Sequence, residues 1–300
     1  MSNKLKSSTT RKFNINPDEP EIDFILEEST IINYSEYDEN GNEIKEVTYT
    51  EDGEFEQMFT FKFNSKNLVI EENLFFTEDE ITDVKKFEYN DQDKVVKKTI
   101  HYLDDTFDVT TYTYDDNGNL ILKTTVDSDD CLEAKEVYEY SNNKVSFHAK
   151  YDGDDNLIEE YKYQYNEQGN AIEEEKWDIY DDKRIKYLME YDANGNRTKI
   201  LTYNSLGQLK HKSLFEYDEK NQLLKTVEED EFNNNVISFQ YDERGNSIEQ
   251  TEYNQHEDLI SSINRKYNEF DNVISSNVYL NRQGSGPNLH YSIYYEYLYF

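Results

Sequence analysis

Tyr114–Ile121 reads YDDNGNLI, an aromatic residue, an Asx-Gly turn and then an aliphatic residue. The same pattern returns as YDENGNEI from Tyr37, YNEQGNAI from Tyr165, YDANGNRT from Tyr191 and YDERGNSI from Tyr241. Worn copies start at Phe63, Tyr89, Tyr140, Tyr217 and Tyr267, so the ten anchors are 24 to 26 residues apart. A period that regular marks a repeat array. Within each period a second turn follows, as in YTEDGEF from Tyr49, YDGDDNLI from Tyr151 and YNSLGQL from Tyr203. The elementary unit is therefore one strand and one turn, used twice per repeat.

Between turns the side chains alternate. Phe55, Phe59, Phe61 and Phe63 fall on one face, as do Tyr161, Tyr163 and Tyr165, with Lys162 and Gln164 on the other. Alternation of period two bounded by Asn, Asp and Gly is the strand signal, and glycine supplies the positive φ that tight hairpins need. The expected fold is all-β: an antiparallel meander of about twenty strands in ten hairpin repeats of ~26 residues, as an extended or curled sheet. Equivalent anchors such as Tyr89, Tyr114, Tyr140, Tyr165, Tyr191 and Tyr217 should stack in one column. Residues 1–20 read as a flexible segment, Ile22–Tyr34 as a cap leading into the first strand, and 21–300 as one β-repeat domain. His290–Phe300 reads as a closing strand.

Composition narrows the function classes. The formal charge is −34, and the single cysteine, Cys131, excludes an internal disulfide framework. No run of about 18 apolar residues suggests a membrane helix, and no apolar stretch follows the basic residues near the start. A cytoplasmic protein, monomeric when free, is the expectation. The acidic balance disfavours nucleic acid or an anionic membrane as partner.

The Y-D-x-x-G-N-x-I units resemble YD repeats of the rearrangement-hotspot class and, less closely, variant MORN repeats of bacterial antitoxin-type proteins. The resemblance runs from Tyr37 to Phe300. Large members of the class curl their sheet into a hollow shell around a toxin segment. Here Asn42, Asn119, Asn170, Asn196 and Asn246 stand where arginine often follows the turn glycine. For a stand-alone repeat protein the resemblance implies an immunity or antitoxin role.

Motif searches give no catalytic assignment. G-x-S-x-G, Walker and dinucleotide loops are absent from the sequence. The five histidines share no metal-ligand spacing and read as surface strand positions. The acidic turns place glycine three residues after the first Asp, which suits a hairpin rather than a calcium loop. No enzyme activity, cofactor or metal is expected.

Charge is unevenly divided between the two kinds of turn. The ten first-type windows sum to −9 and the ten second-type windows to −23. Successive turns of an antiparallel meander lie on opposite edges, so one edge should be much the more acidic. The second-type pattern departs from Tyr-to-Gly at Val126–Cys131, Trp177–Asp182 and Glu228–Phe232. The candidate partner-binding residues are accordingly Asp127, Asp129, Asp130, Trp177, Asp181, Asp182, Glu228, Glu229, Asp230 and Glu231. The expected function is non-enzymatic: an immunity protein that neutralises a basic toxin or effector by direct contact. The alternative is a shell-like or glycan-binding β-repeat scaffold.

Overall fold

A computed structural model describes residues 4–15 and 28–300. It contains 22 strands in one sheet, and the described residues hold no α-helix. The chain divides into two compact units, residues 86–236 and residues 1–85 with 237–300.

In the unit of residues 86–236 the strands β7 (Val95–His101), β8 (Phe107–Tyr114), β9 (Leu120–Val126), β10 (Leu132–Ser141), β11 (Lys144–Tyr151) and β12 (Leu157–Tyr165) pair in sequence order. The order continues through β13 (Ala171–Asp178), β14 (Lys183–Tyr191), β15 (Arg197–Tyr203), β16 (Leu209–Tyr217) and β17 (Leu223–Asp230). Every one of these pairings is antiparallel, so the meander is uninterrupted and its turns alternate between two edges.

The other unit begins with β1 (Leu5–Asn14), and this is where the sequence reading needs correction. Residues 5–14 are a ten-residue strand rather than a flexible start. The rest of that reading, and the first part of the cap, falls on residues 1–3 and 16–27, outside the described residues. β1 lies antiparallel between β2 (Thr30–Tyr37) and β22 (Leu289–Tyr299). The last strand is therefore paired on both sides, with β21 (Val273–Leu280) and with β1, instead of ending the array as a free edge. An unpaired edge is a template for aggregation, and β1 removes it here.

One turn geometry explains the repeat. After Tyr114, the Asp115 N–H donates to Asn119 O (2.8 Å) and the Gly118 N–H donates to Asp115 O (2.9 Å). Asp115 Oδ1 accepts the N–H groups of Asn117 and Asn119 at 2.9 and 2.7 Å. Gly118 sits at φ 79°, in the left-handed region. This is a type I turn closed by a one-residue bulge, and the pairing shifts register between Thr113 and Tyr114. The worn copies keep the same turn by a different residue: Asn67, Asp93, Asn221 and Asp271 occupy the left-handed position at φ 60 to 63°. The repeat at Tyr140 alone of these uses a two-residue turn, with Asn142 and Asn143 both at positive φ.

The anchor tyrosines weld each repeat to the one before. The hydroxyls of Tyr114, Tyr140, Tyr165, Tyr191 and Tyr217 donate to the carbonyls of Val95, Leu120, Val145, Ala171 and Arg197, all at 2.8 to 2.9 Å. Tyr267 does the same to Ser247 in the other unit. Each acceptor is at or beside the first residue of the strand that follows the preceding turn. A single sheet has little dry interior, and among the described residues the buried apolar side chains are Phe13, Ile15, Val47, Ala149 and Val278. Stability must come from ladders of half-buried side chains and from these repeated polar welds.

Two outcomes follow. Tyr191→Phe keeps the ring and loses one hydrogen bond, leaving the Ala171 carbonyl short of its donor. It should cost about 1 kcal/mol in chemical denaturation. Gly195, at φ 85°, should tolerate Asn much better than Val, with Gly195→Val costing roughly 1 kcal/mol or more. Equal unfolding midpoints for Gly195→Asn and Gly195→Val would contradict the turn assignment.

Candidate functional site

On the second-type edge of the residue 86–236 unit, most turns repeat the geometry of Asp115–Asn119. Asp127, Asp152 and Asn204 each accept backbone N–H groups two and four residues on, with Asp130, Asp155 and Gly207 left-handed. Val126–Cys131 is therefore a regular turn written in different residues, where the sequence pattern suggested a departure. Two segments do depart. At Trp177–Asp182 the Ile179 N–H reaches back to Ile158 O, and the left-handed position passes to Asp182. At Asp230 the turn is one residue shorter, its N–H donating to Asn233 O.

Several of the acidic side chains on this edge are already engaged. Asp127 and Asp230 cap their own turns through Oδ1. Glu228 accepts from Ser213 Oγ (2.5 Å) and lies 3.2 Å from His211 Nε2, while Glu229 pairs with Lys212 at 2.8 Å. Both glutamates belong to β17, so register places them opposite those partners and not in the loop. Asp129, Asp130, Asp181, Asp182 and Glu231 are exposed, with Glu231 loosely opposite Lys210 at 3.9 Å. Trp177 is half-buried, and its Nε1–H donates to Asp182 Oδ1 (3.3 Å).

The residues that the sequence reading missed are apolar. Leu103, Tyr180, Leu206 and Phe232 sit at the tips of second-type turns and are 60, 77, 80 and 75 % exposed. Tyr180, Leu206 and Phe232 belong to three successive turns of this edge, 26 residues apart each time. Two strand spacings separate neighbouring turns, so the three tips form a row at roughly 10 Å intervals. Phe76, 56 % exposed, occupies an equivalent turn in the other unit. Most turns of the array hold Asp, Asn, Glu or Lys at their tips, and an apolar residue there was a visible signal. Tyr180 also donates to Asp152 Oδ2 (3.2 Å), reaching across to the preceding turn.

Inboard of this row lies a cleft of about 390 Å³. Its floor is set by register across four strands: Trp177 of β13 is opposite Glu160 of β12 and Arg184 of β14, and Lys186 is opposite Tyr203 of β15. The Arg184 guanidinium lies over the Trp177 indole at 4.2 Å. The Arg184 N–H donates to Ser205 Oγ (2.9 Å), and that hydroxyl faces the Arg184 carbonyl at 3.3 Å, which ties β14 to the following turn.

The tyrosine-bearing face holds a second cluster. Glu136 accepts from Lys123 Nζ (2.6 Å) and Tyr138 Oη (2.7 Å) and lies 3.1 Å from His148 Nε2. Glu159 takes Lys150 and Lys176, each at 2.7 Å. His148 is stacked between Tyr138 (4.3 Å) and Tyr161 (5.2 Å), so it is a half-buried stacking residue and not the surface position its sequence context suggested. Burial pushes the Tyr138 hydroxyl up and lowers the His148 pKa. Every carboxylate in this cluster is matched by lysine, so it reads as the cross-strand cement of β9 to β13. Among the described residues no group of three or more His, Cys, Asp or Glu side chains could hold a metal ion. No helix of the described residues is long and apolar enough to cross a membrane.

A family model described only as an uncharacterised protein matches residues 141–263. No curated protein matches the chain. Among solved structures, a porin-like protein from Bacteroides uniformis ATCC 8492 aligns at 12 % identity and a TM-score of 0.36, over 72 % of this chain and 95 % of that one. The TcdB2-TccC3-Cdc42 structure aligns at 13 % identity and a TM-score of 0.24, over 84 % of this chain. The chain spans about 20 % of the length of that assembly's matched chain. A porin-like protein from Bacteroides vulgatus ATCC 8482 aligns at 10 % identity and a TM-score of 0.24. These similarities are too distant to carry a function.

The carboxylate cluster has a pH signature. Burial alone would raise Glu136, but hydrogen bonds from Lys123, Tyr138 and His148 hold it at about 2. Glu159 is likewise held at about 2, chiefly by Lys150 and Lys176. A carboxyl group depressed in the folded state stabilises it at pH values above its unfolded pKa, near 4.3. That contribution should fade as pH falls from there towards 2. Glu136→Gln should flatten the loss of thermal stability in this window, and a variant with the wild-type acid profile would refute the assignment.

Proposed function

We propose that the chain is a non-enzymatic β-repeat binding protein that acts by direct contact through the second-type turn edge of residues 86–236. The observation that supports this reading is the row of Tyr180, Leu206 and Phe232, three successive turn tips left 75 to 80 % exposed amid carboxylates. Apolar anchors within a polar rim are the composition of a protein interface, where aromatic residues carry most of the affinity. Exposed Asp129, Asp130, Asp181, Asp182 and Glu231 steer a basic partner, and their contribution is screened by salt. With the likeness of the repeats to the YD class, the reading is an immunity or antitoxin protein for a basic toxin or effector, acting in the cytoplasm. A shell-like or glycan-binding scaffold is the second reading. Trp177 and Tyr180 would suit it, because sugars stack on exposed aromatic faces.

The test uses the full chain as bait, beside a triple variant carrying Tyr180→Ser, Leu206→Ser and Phe232→Ser. Circular dichroism should first show that the two baits share one β spectrum. The expected result is a stoichiometric basic protein that binds the wild type, loses at least about tenfold affinity for the variant and weakens with added salt. A partner held equally by both baits, or one that is acidic and insensitive to salt, would overturn the proposal. Retention on glycan with no protein partner would favour the scaffold.

A further inference from the structure

The cleft between Trp177, Arg184, Leu188 and Tyr203 combines an apolar wall with charged side chains. The three lysines that line it are neutralised locally, Lys162 by Glu160 at 2.5 Å, Lys176 by Glu159 at 2.7 Å, and Lys186 by Glu175 at 3.3 Å and Glu173 at 2.8 Å. Arg184 differs, because no carboxylate of the described residues lies within ion-pair distance of its guanidinium. Arg197, Arg265 and Arg282 likewise have no carboxylate of the described residues within ion-pair distance, and what sets Arg184 apart is its place on the Trp177 indole at this cleft. Asp182, the acid on the rim, is taken by the Trp177 indole N–H instead.

The arginine is also held in place. Stacking on Trp177 covers one flat side of the guanidinium, and stacking leaves its N–H donors free at the edge. The main chain of Arg184 is fixed on both sides, by register opposite Trp177 and by its two contacts with Ser205. A donor fork held in advance loses little freedom on binding, and a planar fork matches a carboxylate bidentately. Beside it, Leu188, Tyr203 and the exposed part of the indole supply an apolar wall. The volume of about 390 Å³ falls within the range of small-molecule clefts.

We propose that this cleft binds a small organic carboxylate with a flat apolar body, the carboxylate on Arg184 and the body against Trp177, Leu188 and Tyr203. The proposal stands apart from the turn-tip row, so either can fail without the other. The four cleft residues come from β13, β14 and β15, whereas the row comes from the turns. Net charge opposes a distant anion, but at physiological salt that repulsion is screened beyond about 8 Å, and the contact itself is decided locally.

Trp177 is the only tryptophan of the chain, so its fluorescence reports this cleft alone. The probe is 4-phenylbutyrate, titrated against 4-phenylbutan-1-ol and 4-phenylbutylamine at about 0.15 M salt. A saturable change is expected for the carboxylate, with at least about tenfold weaker binding of the alcohol and amine, the loss of one charge-assisted contact. Arg184→Gln should lose the same preference, and Arg184→Lys should keep part of it. Should Arg184→Gln fail to fold, the wild type alone decides through collisional quenching: iodide should quench Trp177 more strongly than caesium despite the acidic chain. Equal binding of all three probes, no saturable response, or stronger quenching by caesium would overturn the proposal.

Discussion

The constraint on which the rest depends is the left-handed residue that closes most of the turns. In an antiparallel sheet, slipping a strand by one residue moves its whole side-chain set to the other face. Gly118, with Asp115 capping the loop before it, forces a one-residue bulge just ahead of the anchor tyrosine. The same shift occurs at Tyr165, Tyr191 and Tyr217. Because these repeats reset their register at the same point, equivalent side chains meet across strands. Columns of tyrosine, lysine and glutamate are consequences of the turn rather than independent features.

Those columns then do the work that a core does elsewhere. Buried positions across strands are small or polar, among them Thr110, Ala149, Ser213 and Thr226, so backbones and long side chains can lie close above them. Cement between strands is charged but half-exposed, as in Lys123–Glu136 and Lys150–Glu159. Exposed ion pairs are individually worth little, and the array relies on repetition of such pairs over many strands. The tyrosine hydroxyl adds what phenylalanine could not, a bond to the carbonyl beside the previous bulge. That explains a composition of 27 Tyr against 16 Phe in a protein with so few buried apolar residues.

Much of this was legible in the sequence, because period, alternation and turn chemistry are local properties. The turns at Asn64, Asn90 and Asp218 could be placed from tyrosine or phenylalanine spacing even where glycine is lost. What stayed hidden was set by partners distant in sequence. Residues 5–14 are not repeat-like, and pairing with β2 on one side and with β22, nearly 300 residues away, on the other makes them a strand. The acids of β17 looked free in the sequence because Lys212 and Ser213 come into register with them only through the turn at Asp218 that joins β16 to β17. Arg184 drew no notice for the same reason: its position opposite Trp177 follows from the irregular turn between them.

The two edges have diverged in what their turns do. On the first edge, Asn196 Nδ2 donates both to its own Asp192 and to Asn221 of the next turn, and Asn246 repeats this with Asp242 and Asp271. Asn42 makes the corresponding link to Asn67. In these three repeats the asparagine after the turn glycine stitches neighbouring turns together. On the second edge, links such as Tyr180 to Asp152 and Lys135 to Asp155 are made by residues that do not recur in the repeat. The second edge holds the irregular turn at Trp177–Asp182, the shortened turn at Asp230 and the apolar tips Tyr180, Leu206 and Phe232.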